Sequence, residues 1–468
     1  MKSALKNKIL FAASECAPFA KVGGLADVIG SLPKALKKIG ADVSVILPFY
    51  GKIKIEKEKT KVLKEKLSIF FDGEKRFFNL HQSFLENSNV PLILVESEKY
   101  FEGDIYLTED ASSEGSEKEA ERFFFFSKVA IKTAEILNFS IIHCHDWHTG
   151  IIPFLAKKNN LKFKTILTIH NLGYQGIYDS KIANRFLGSE FQNDINCLRI
   201  ALSGADIITT VSPNYAKEIL TPEFGFGLEE KIKKRKKDLF GIINGIDEEQ
   251  FSPKEDSYIA QKYSEKELDL KKENKKFLQK EYFKKVDLSV PIIGVISRLA
   301  EQKGFDLIRD SFERLMKKNI QLIILGKGMK EFEDFFQSKN KEYPGKFFAK
   351  IGFDENLAHQ IYAGADMFLI PSHFEPCGLG QLIAMKYGTI PIARAVGGLK
   401  DTIEHKKTGF LFEKPESQEL LNAIKDSLSF YRKEKIWKKI QTEGMKQDFS
   451  WQNSAQKYLE IYRDLTRV

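Results

Sequence analysis

One rhythm occurs twice in this chain and limits it to a parallel, doubly wound α/β architecture. Near the amino terminus, KILFAAS (8–14) runs into a Gly-rich turn, the amphipathic GLADVIGSLPKALKKIG (24–40) and then ADVSVILP (41–48). Far downstream, PIIGVIS (291–297) runs into a polar loop, KGFDLIRDSFERLMKK (303–318) and IQLIILG (320–326). Each passage reads as a β-branched strand, a helix with one apolar face and a second strand, the unit that builds a parallel sheet with crossover helices. Further strands are expected at 141–144, 165–169, 206–211, 240–244, 366–371 and 389–393. Several are apolar on both faces, as strands covered by helices on both sides must be.

At 468 residues the chain exceeds what one hydrophobic core organises. The expected fold is therefore two doubly wound Rossmann-like domains facing each other across a cleft. The first domain covers 1–247 and ends just after Asn244-Gly245-Ile246-Asp247; the second covers 248–450. An apolar-periodic segment, 451–468, reads as a terminal helix able to pack back on the first domain. Ligands of such sheets bind beyond the carboxyl ends of the strands.

Several function classes are excluded early. No apolar stretch is long enough to span a bilayer, and the run Ile9–Ala13 is too short for a secretion signal, with Glu15 close behind. The chain reads as cytoplasmic. Cys16, Cys144, Cys197 and Cys377 are too scattered for a zinc site or a disulfide framework. A net charge of +9 would suit nucleic acid, but the lysines alternate with glutamates at 54–66 and 262–285, a pattern typical of solvated helix faces. No nucleic-acid motif accompanies them; the surplus favours an anionic small substrate instead.

The chemistry-bearing residues cluster at strand ends. In KVGGLADVIGSLP (21–33) a Gly pair opens a helix whose N–H groups suit a phosphate, with Lys21 as a mobile cation; the same glycines serve a plain turn equally well. HCHDWHTGIIP (143–153) gathers His143, His145, Asp146 and His148. Strand alternation puts His143 and His145 on one face and Asp146 opposed, a poor metal set and a better sugar-pocket lining. His170 and Asn171, in TIHNLGYQGIY (168–178), suit sugar hydroxyls, although a satisfied buried histidine is an equal reading. SRLAEQKGFDL (297–307) sets Arg298 and Lys303 beside a helix start, a fork and a point charge for a diphosphate. In PSHFEPCGLGQLIAMKYG (371–388), Glu375 precedes a Pro-Cys-Gly-Leu turn; it can bind hydroxyls or merely cap the helix.

In this order, KVGGLADV, HCHDWH, TIHNLGYQG, TVSPNYAKEI, GIINGID, SRLAEQKG, PSHFEPCGLGQL, YGTIPIA and GGLKDT resemble the bacterial glycogen synthases and plant starch synthases over nearly the full length. The resemblance implies the GT-B architecture and transfer of glucose from ADP-glucose to the non-reducing end of an α-1,4-glucan, with retention at the anomeric carbon. UDP-glucose or a small-sugar acceptor is the alternative, and a non-catalytic glucan-binding protein a more distant one. The resemblance also implies site roles. Lys21 binds donor phosphate, supported by the Gly23-Gly24 backbone, and Asp27 of the same motif is a substrate-binding residue; Arg298 and Lys303 hold the diphosphate. Glu375 and the backbone of Cys377, Gly378 and Leu379 bind glucose hydroxyls. His170, Asn171 and Asn244 meet the transferred sugar, Asp146 lies toward the acceptor, and Phe353 takes the place of a Tyr against the base.

No paired nucleophile and acid carboxylates are required of such an enzyme, whose task is to stabilise a departing diphosphate. No Asp-any-Asp pair is present, so neither a bridging metal nor another cofactor is expected. Against the family pattern stand Val22, His373, Gly380 and Val396, and a shortened loop, EKYFEGDIY (98–106). A dinucleotide-dependent oxidoreductase is disfavoured because G-x-G-x-x-G is absent.

Overall fold

The computed structural model describes residues 7–55, 59–107, 117–188 and 191–467. Two compact units are present: Met1–Gly245 together with Trp451–Val468, and Ile246–Ser450. The chain leaves the first unit after Gly245 and re-enters it at Trp451.

Strands of the first unit are, in chain order, β1 (Lys8–Ala12), β2 (Asp42–Pro48), β3 (Lys61–Phe71), β4 (Glu74–Phe84), β5 (Pro91–Glu96), β6 (Ile141–His145), β7 (Lys164–Ile169), β8 (Ile177–Tyr178), β9 (Ile195–Asn196), β10 (Ile207–Thr210) and β11 (Leu239–Gly241). Nine of them form one sheet, ordered β11-β10-β7-β6-β1-β2-β5-β4-β3, while β8 and β9 make a separate ribbon. From β11 to β5 the pairing is parallel; β4 and β3 continue it antiparallel. The chain builds outward from β1 through β2 and β5, then returns to start again at β6 on the other side of β1. The winding therefore reverses between β1 and β6, and ligands of such sheets bind beyond the carboxyl ends at that point. Helix Gly24–Lys38 covers the sheet with Leu25, Val28, Ile29, Leu32 and Leu36, a stripe at helical spacing. Against it packs the terminal helix Trp451–Leu465.

The second unit repeats the plan with β12 (Ile292–Ile296), β13 (Gln321–Gly326), β14 (Phe347–Ile351), β15 (Met367–Ile370), β16 (Ile390–Arg394) and β17 (Phe410–Phe412). Their order is β14-β13-β12-β15-β16-β17, all parallel. Here the winding reverses between β12 and β15. Two doubly wound α/β units are thus what the repeated rhythm specifies. All six further strands expected from apolar runs form, with 240–244 shortened to β11.

The two lysine-rich runs depart from their expected form as solvated helix faces. Residues 56–58 of the first lie outside the described residues; Lys61–Lys66 belong to β3, an edge strand. Lysine and glutamate on an edge strand prevent edge-to-edge pairing, so the charge alternation reports a sheet border. Asp72 (φ 54°) and Gly73 (φ 73°) turn β3 into β4, a two-residue Asp-Gly hairpin whose sequence signal stood in plain view. In the second run, helix Lys271–Leu278 buries two of its lysines. Lys271 Nζ donates to Ala363 O (2.6 Å) and Thr389 Oγ1 (2.7 Å), and Lys275 Nζ lies 2.9 Å from Asp366 Oδ2. Burial lowers Lys271 to about 7. An ammonium group can be buried where carbonyls and a carboxylate replace its water.

Candidate functional site

At the β1/β6 reversal of the first unit, the loop after β1 carries Glu15, Lys21, Val22 and Gly23. Glu15 is buried, and its Oε2 accepts the backbone N–H groups of Val22 (2.7 Å) and Gly23 (2.8 Å). Tyr106 OH donates to Glu15 Oε1 at 2.6 Å. Burial raises the Glu15 carboxyl above its usual range, opposed by the bonds from Tyr106, Gly23 and Val22. The loop bearing Tyr106 is itself held by Arg122, which donates to the carbonyls of Tyr100 (2.8 Å), Ile105 (3.0 Å) and Glu102 (3.1 Å). Lys21 Nζ sits 2.6 Å from Asp27 Oδ1 on the first turn of the helix that Gly23 opens. A methyl group added at Gly23 or Gly24 would meet nothing within 4 Å. Packing among the described residues therefore does not demand glycine at either position.

Across the reversal, Asp146 follows β6 with φ 54°. Its Oδ1 accepts the N–H of His170 (2.7 Å) and, more weakly, that of Asn171 (3.4 Å), pinning the loop after β7. Burial pushes Asp146 up to about 7 against these two bonds. The histidine rings of β6 do stack on one face, His143 and His145 lying 4.4 Å apart. Both nitrogens of His143 are engaged, Nδ1 with Tyr462 OH (2.8 Å) and Nε2 with Thr168 Oγ1 (2.6 Å). His145 Nδ1 instead meets His170 Nε2 at 2.9 Å. Burial holds His143, His148 and His170 down at about 3, so all three are neutral. Asn171 Oδ1 accepts the Gly173 N–H (3.0 Å), and Asn244 is buried beyond β11. A concavity of about 780 Å3 opens at the amino ends of β7 and β10 next to Lys164 and Asp206. That is the wrong edge for a ligand of a doubly wound sheet.

In the second unit, the loops after β12 and β15 meet at the corresponding reversal. Lys303 Nζ contacts both carboxylate oxygens of Glu375, at 2.7 and 2.8 Å, and Ser372 Oγ donates to Glu375 Oε2 at 3.0 Å. Glu375 does not cap the following helix, Gly380–Lys386, whose N-cap is Leu379. His373 Nε2 reaches Asp306 Oδ2 (2.8 Å), and the His373 N–H donates to Gln302 O (2.9 Å), tying the two loops together. Helix Gly397–Thr402 backs this turn: the Gly398 N–H donates to Glu375 O (3.1 Å). A small cavity of about 80 Å3 lies among Ser297, Lys303, Ser372, Glu375, Gly378 and Gln381. Arg298 is exposed on the same loop as Lys303, its Nη2 3.3 Å from Gln302 Oε1. Cys377 is buried, Gly378 takes φ 73°, and Leu379 leads into the helix. Phe353 stands 86% exposed after β14.

Lys303 and Glu375, given separate roles by their motifs, are thus in direct contact, and Lys21 and Asp27 likewise. Sequence reasoning missed Glu15, Tyr106, Arg122 and Ser372, the groups that hold the others. Only Glu15 left a local signal, a carboxylate immediately after an apolar strand.

Doubly wound α/β units in tandem, each gathering charged and polar residues at its winding reversal, have the architecture of a glycosyltransferase of the GT-B class. Residues 8–234 match the family model of the starch synthase catalytic domain, and 279–443 that of glycosyl transferases group 1. The chain belongs to the glycogen synthase family. Over 98% of its length it is 42% identical to the glycogen synthase of Anoxybacillus flavithermus and 40% identical to that of Bacillus subtilis, covering 98% of each. Among solved structures, the catalytic domain of starch synthase IV from Arabidopsis thaliana, bound to ADP and acarbose, superposes with a TM-score of 0.89 at 33% identity, over 99% of this chain and 100% of that one. A sucrose-phosphate synthase from Thermosynechococcus elongatus shares the fold, with a TM-score of 0.65 at 18% identity over 98% of this chain and 99% of that one.

Proposed function

We propose that the protein transfers glucose from ADP-glucose to the non-reducing end of an α-1,4-glucan, with retention of anomeric configuration, in the cytoplasm. The observation that carries this reading is the Lys303–Glu375 contact at the β12/β15 reversal. A cation for a departing diphosphate stands beside a carboxylate for sugar hydroxyls, and a hydroxyl from Ser372 steadies the carboxylate. Arg298 adds a fork for the diphosphate, and the Cys377-Gly378-Leu379 backbone adds contacts to the sugar. Phe353 offers its exposed ring to the base. From the first unit, Lys21 is assigned to donor phosphate, His170, Asn171 and Asn244 to sugar hydroxyls, and Asp146 to the acceptor side. Adenine is favoured because the Arabidopsis relative was solved with ADP.

Chemistry of this kind consists mainly of stabilising charge as it develops on the leaving group, and it needs no second carboxylate at hydrolase spacing. Removing a single group of that type costs on the order of 10²-fold in rate. The test is Glu375→Gln, assayed with ADP-glucose and glycogen alongside calorimetric ADP binding. Turnover should fall by about that factor while ADP affinity is nearly unchanged. A rate within about threefold of wild type, roughly 0.6 kcal/mol in barrier, contradicts the assignment.

A further inference from the structure

His145 and His170, brought together by the carboxyl ends of β6 and β7, share one hydrogen bond of 2.9 Å between Nδ1 of the first and Nε2 of the second. Burial keeps both rings neutral, so each carries one ring proton. Two placements of those protons make the bond. If His145 accepts through Nδ1, its own proton sits on Nε2, which is buried with no partner among the described residues. If His145 donates from Nδ1, Nε2 keeps only a lone pair. A stranded N–H is the rarer outcome in folded proteins and a costly one, so the second placement wins. It has a consequence for His170. Its Nε2 must then accept, and its proton must reside on Nδ1, the nitrogen with no bond to the described residues on the half-buried member of the pair. The His145 ring cannot easily turn away, being stacked on Phe11 and on His143.

We infer that His145 is a positioning residue that fixes His170 as its Nδ1–H tautomer, so that His170 meets a sugar as a hydrogen-bond donor and selects an acceptor oxygen. The sugar contact rests on the reading of His170 given above; the tautomer does not. Asp146 holds the His170 backbone independently, through the N–H bond of 2.7 Å. Ring and main chain are therefore set by two neighbours in the sequence, one on each face of the strand end.

The direct test is long-range proton–nitrogen correlation NMR on the ligand-free full chain with 15N-labelled histidine, assigned with His145→Asn and His170→Asn. Protons on Nδ1 of both rings are expected; a proton on Nε2 of His145 overturns the proposal. Kinetics supply a second arm. His145→Leu removes the donor, whereas His145→Asn keeps an amide N–H near the Nδ1 position. The Leu variant should lose at least about tenfold in kcat with ADP binding within about twofold of wild type, and the Asn variant should recover most of that loss. Equal impairment of the two variants contradicts the donor role. A His170→Ala enzyme with wild-type turnover would instead remove the sugar contact, leaving the NMR result to decide the tautomer.

Discussion

Asp146 occupies a backbone conformation few residues with a side chain adopt, φ 54° with ψ −168°, at a cost of about 1–3 kcal/mol. What the conformation achieves is the turn of its carboxylate onto the His170 and Asn171 amides. The same burial makes its charge expensive. With a folded value of about 7 against 3.8 unfolded, its contribution to stability is fully present below 3.8 and is lost as pH rises through about 7. The histidines run the other way. Held at about 3 against 6.5 unfolded, His143, His148 and His170 contribute fully above 6.5 and lose that contribution as pH falls toward 3. Asp146→Asn keeps an acceptor oxygen for both amides and removes the charge. Its melting temperature should exceed that of wild type at pH 8 and match it near pH 4, as scanning calorimetry across that range would read. An equal shift at both ends would mean that ionisation of Asp146 is not the cause. Residues of this kind explain the uneven legibility of the site. Lys21, Lys303 and Glu375 stood out because each lies in a compact, local motif. The roles of Glu15 and Ser372 could not be read in this way, since each serves to hold another group; Glu15 meets Tyr106 across 91 positions.

Among elements, the short helix Gly397–Thr402 shows how a Gly pair shapes the turn that it packs against. Gly397 takes φ 47°, and a Cβ there would stand 1.9 Å from the carbonyl oxygen of Glu375. Backbone is packed on backbone, so no side chain can move aside. Gly397→Ala should therefore destabilise the protein by at least about 2 kcal/mol in urea unfolding and lower turnover by displacing the Glu375 turn. Wild-type stability together with wild-type turnover would show that the turn is not held from this side. The edge hairpin carries the opposite lesson. β3 reads KVLKEKLSIFF, whose lysine and glutamate spacing imitates an exposed helix, and the mostly solvated strand leaves no strong alternation to contradict it. By contrast β1, β6 and β12, buried nearly throughout, were legible because a covered parallel strand has no polar face to confuse its pattern.

At the scale of the whole molecule, the sequence reveals two repeats of one unit but not the order in which their strands lie. That order decides which side chains meet, because the two reversals, β1/β6 and β12/β15, put Glu15, Lys21 and Asp146 at one and Lys303 and Glu375 at the other. Strand order is a long-range property. It depends on which crossover packs on which face, and no local spacing encodes that. For helix Trp451–Leu465 the sequence raised the expectation of a return to the first domain, but its partner there, helix Gly24–Lys38, is a long-range pairing that no local pattern named. Glucosyl transfer itself is tested most directly by incubating the purified full chain with ADP-glucose labelled in the sugar, glycogen and a chelator. Label should enter the polymer with one ADP released per glucose, and an exo-acting amylase that trims from non-reducing ends should free it first. ADP release without label in the glucan, or no reaction with either ADP-glucose or UDP-glucose, would contradict the assignment.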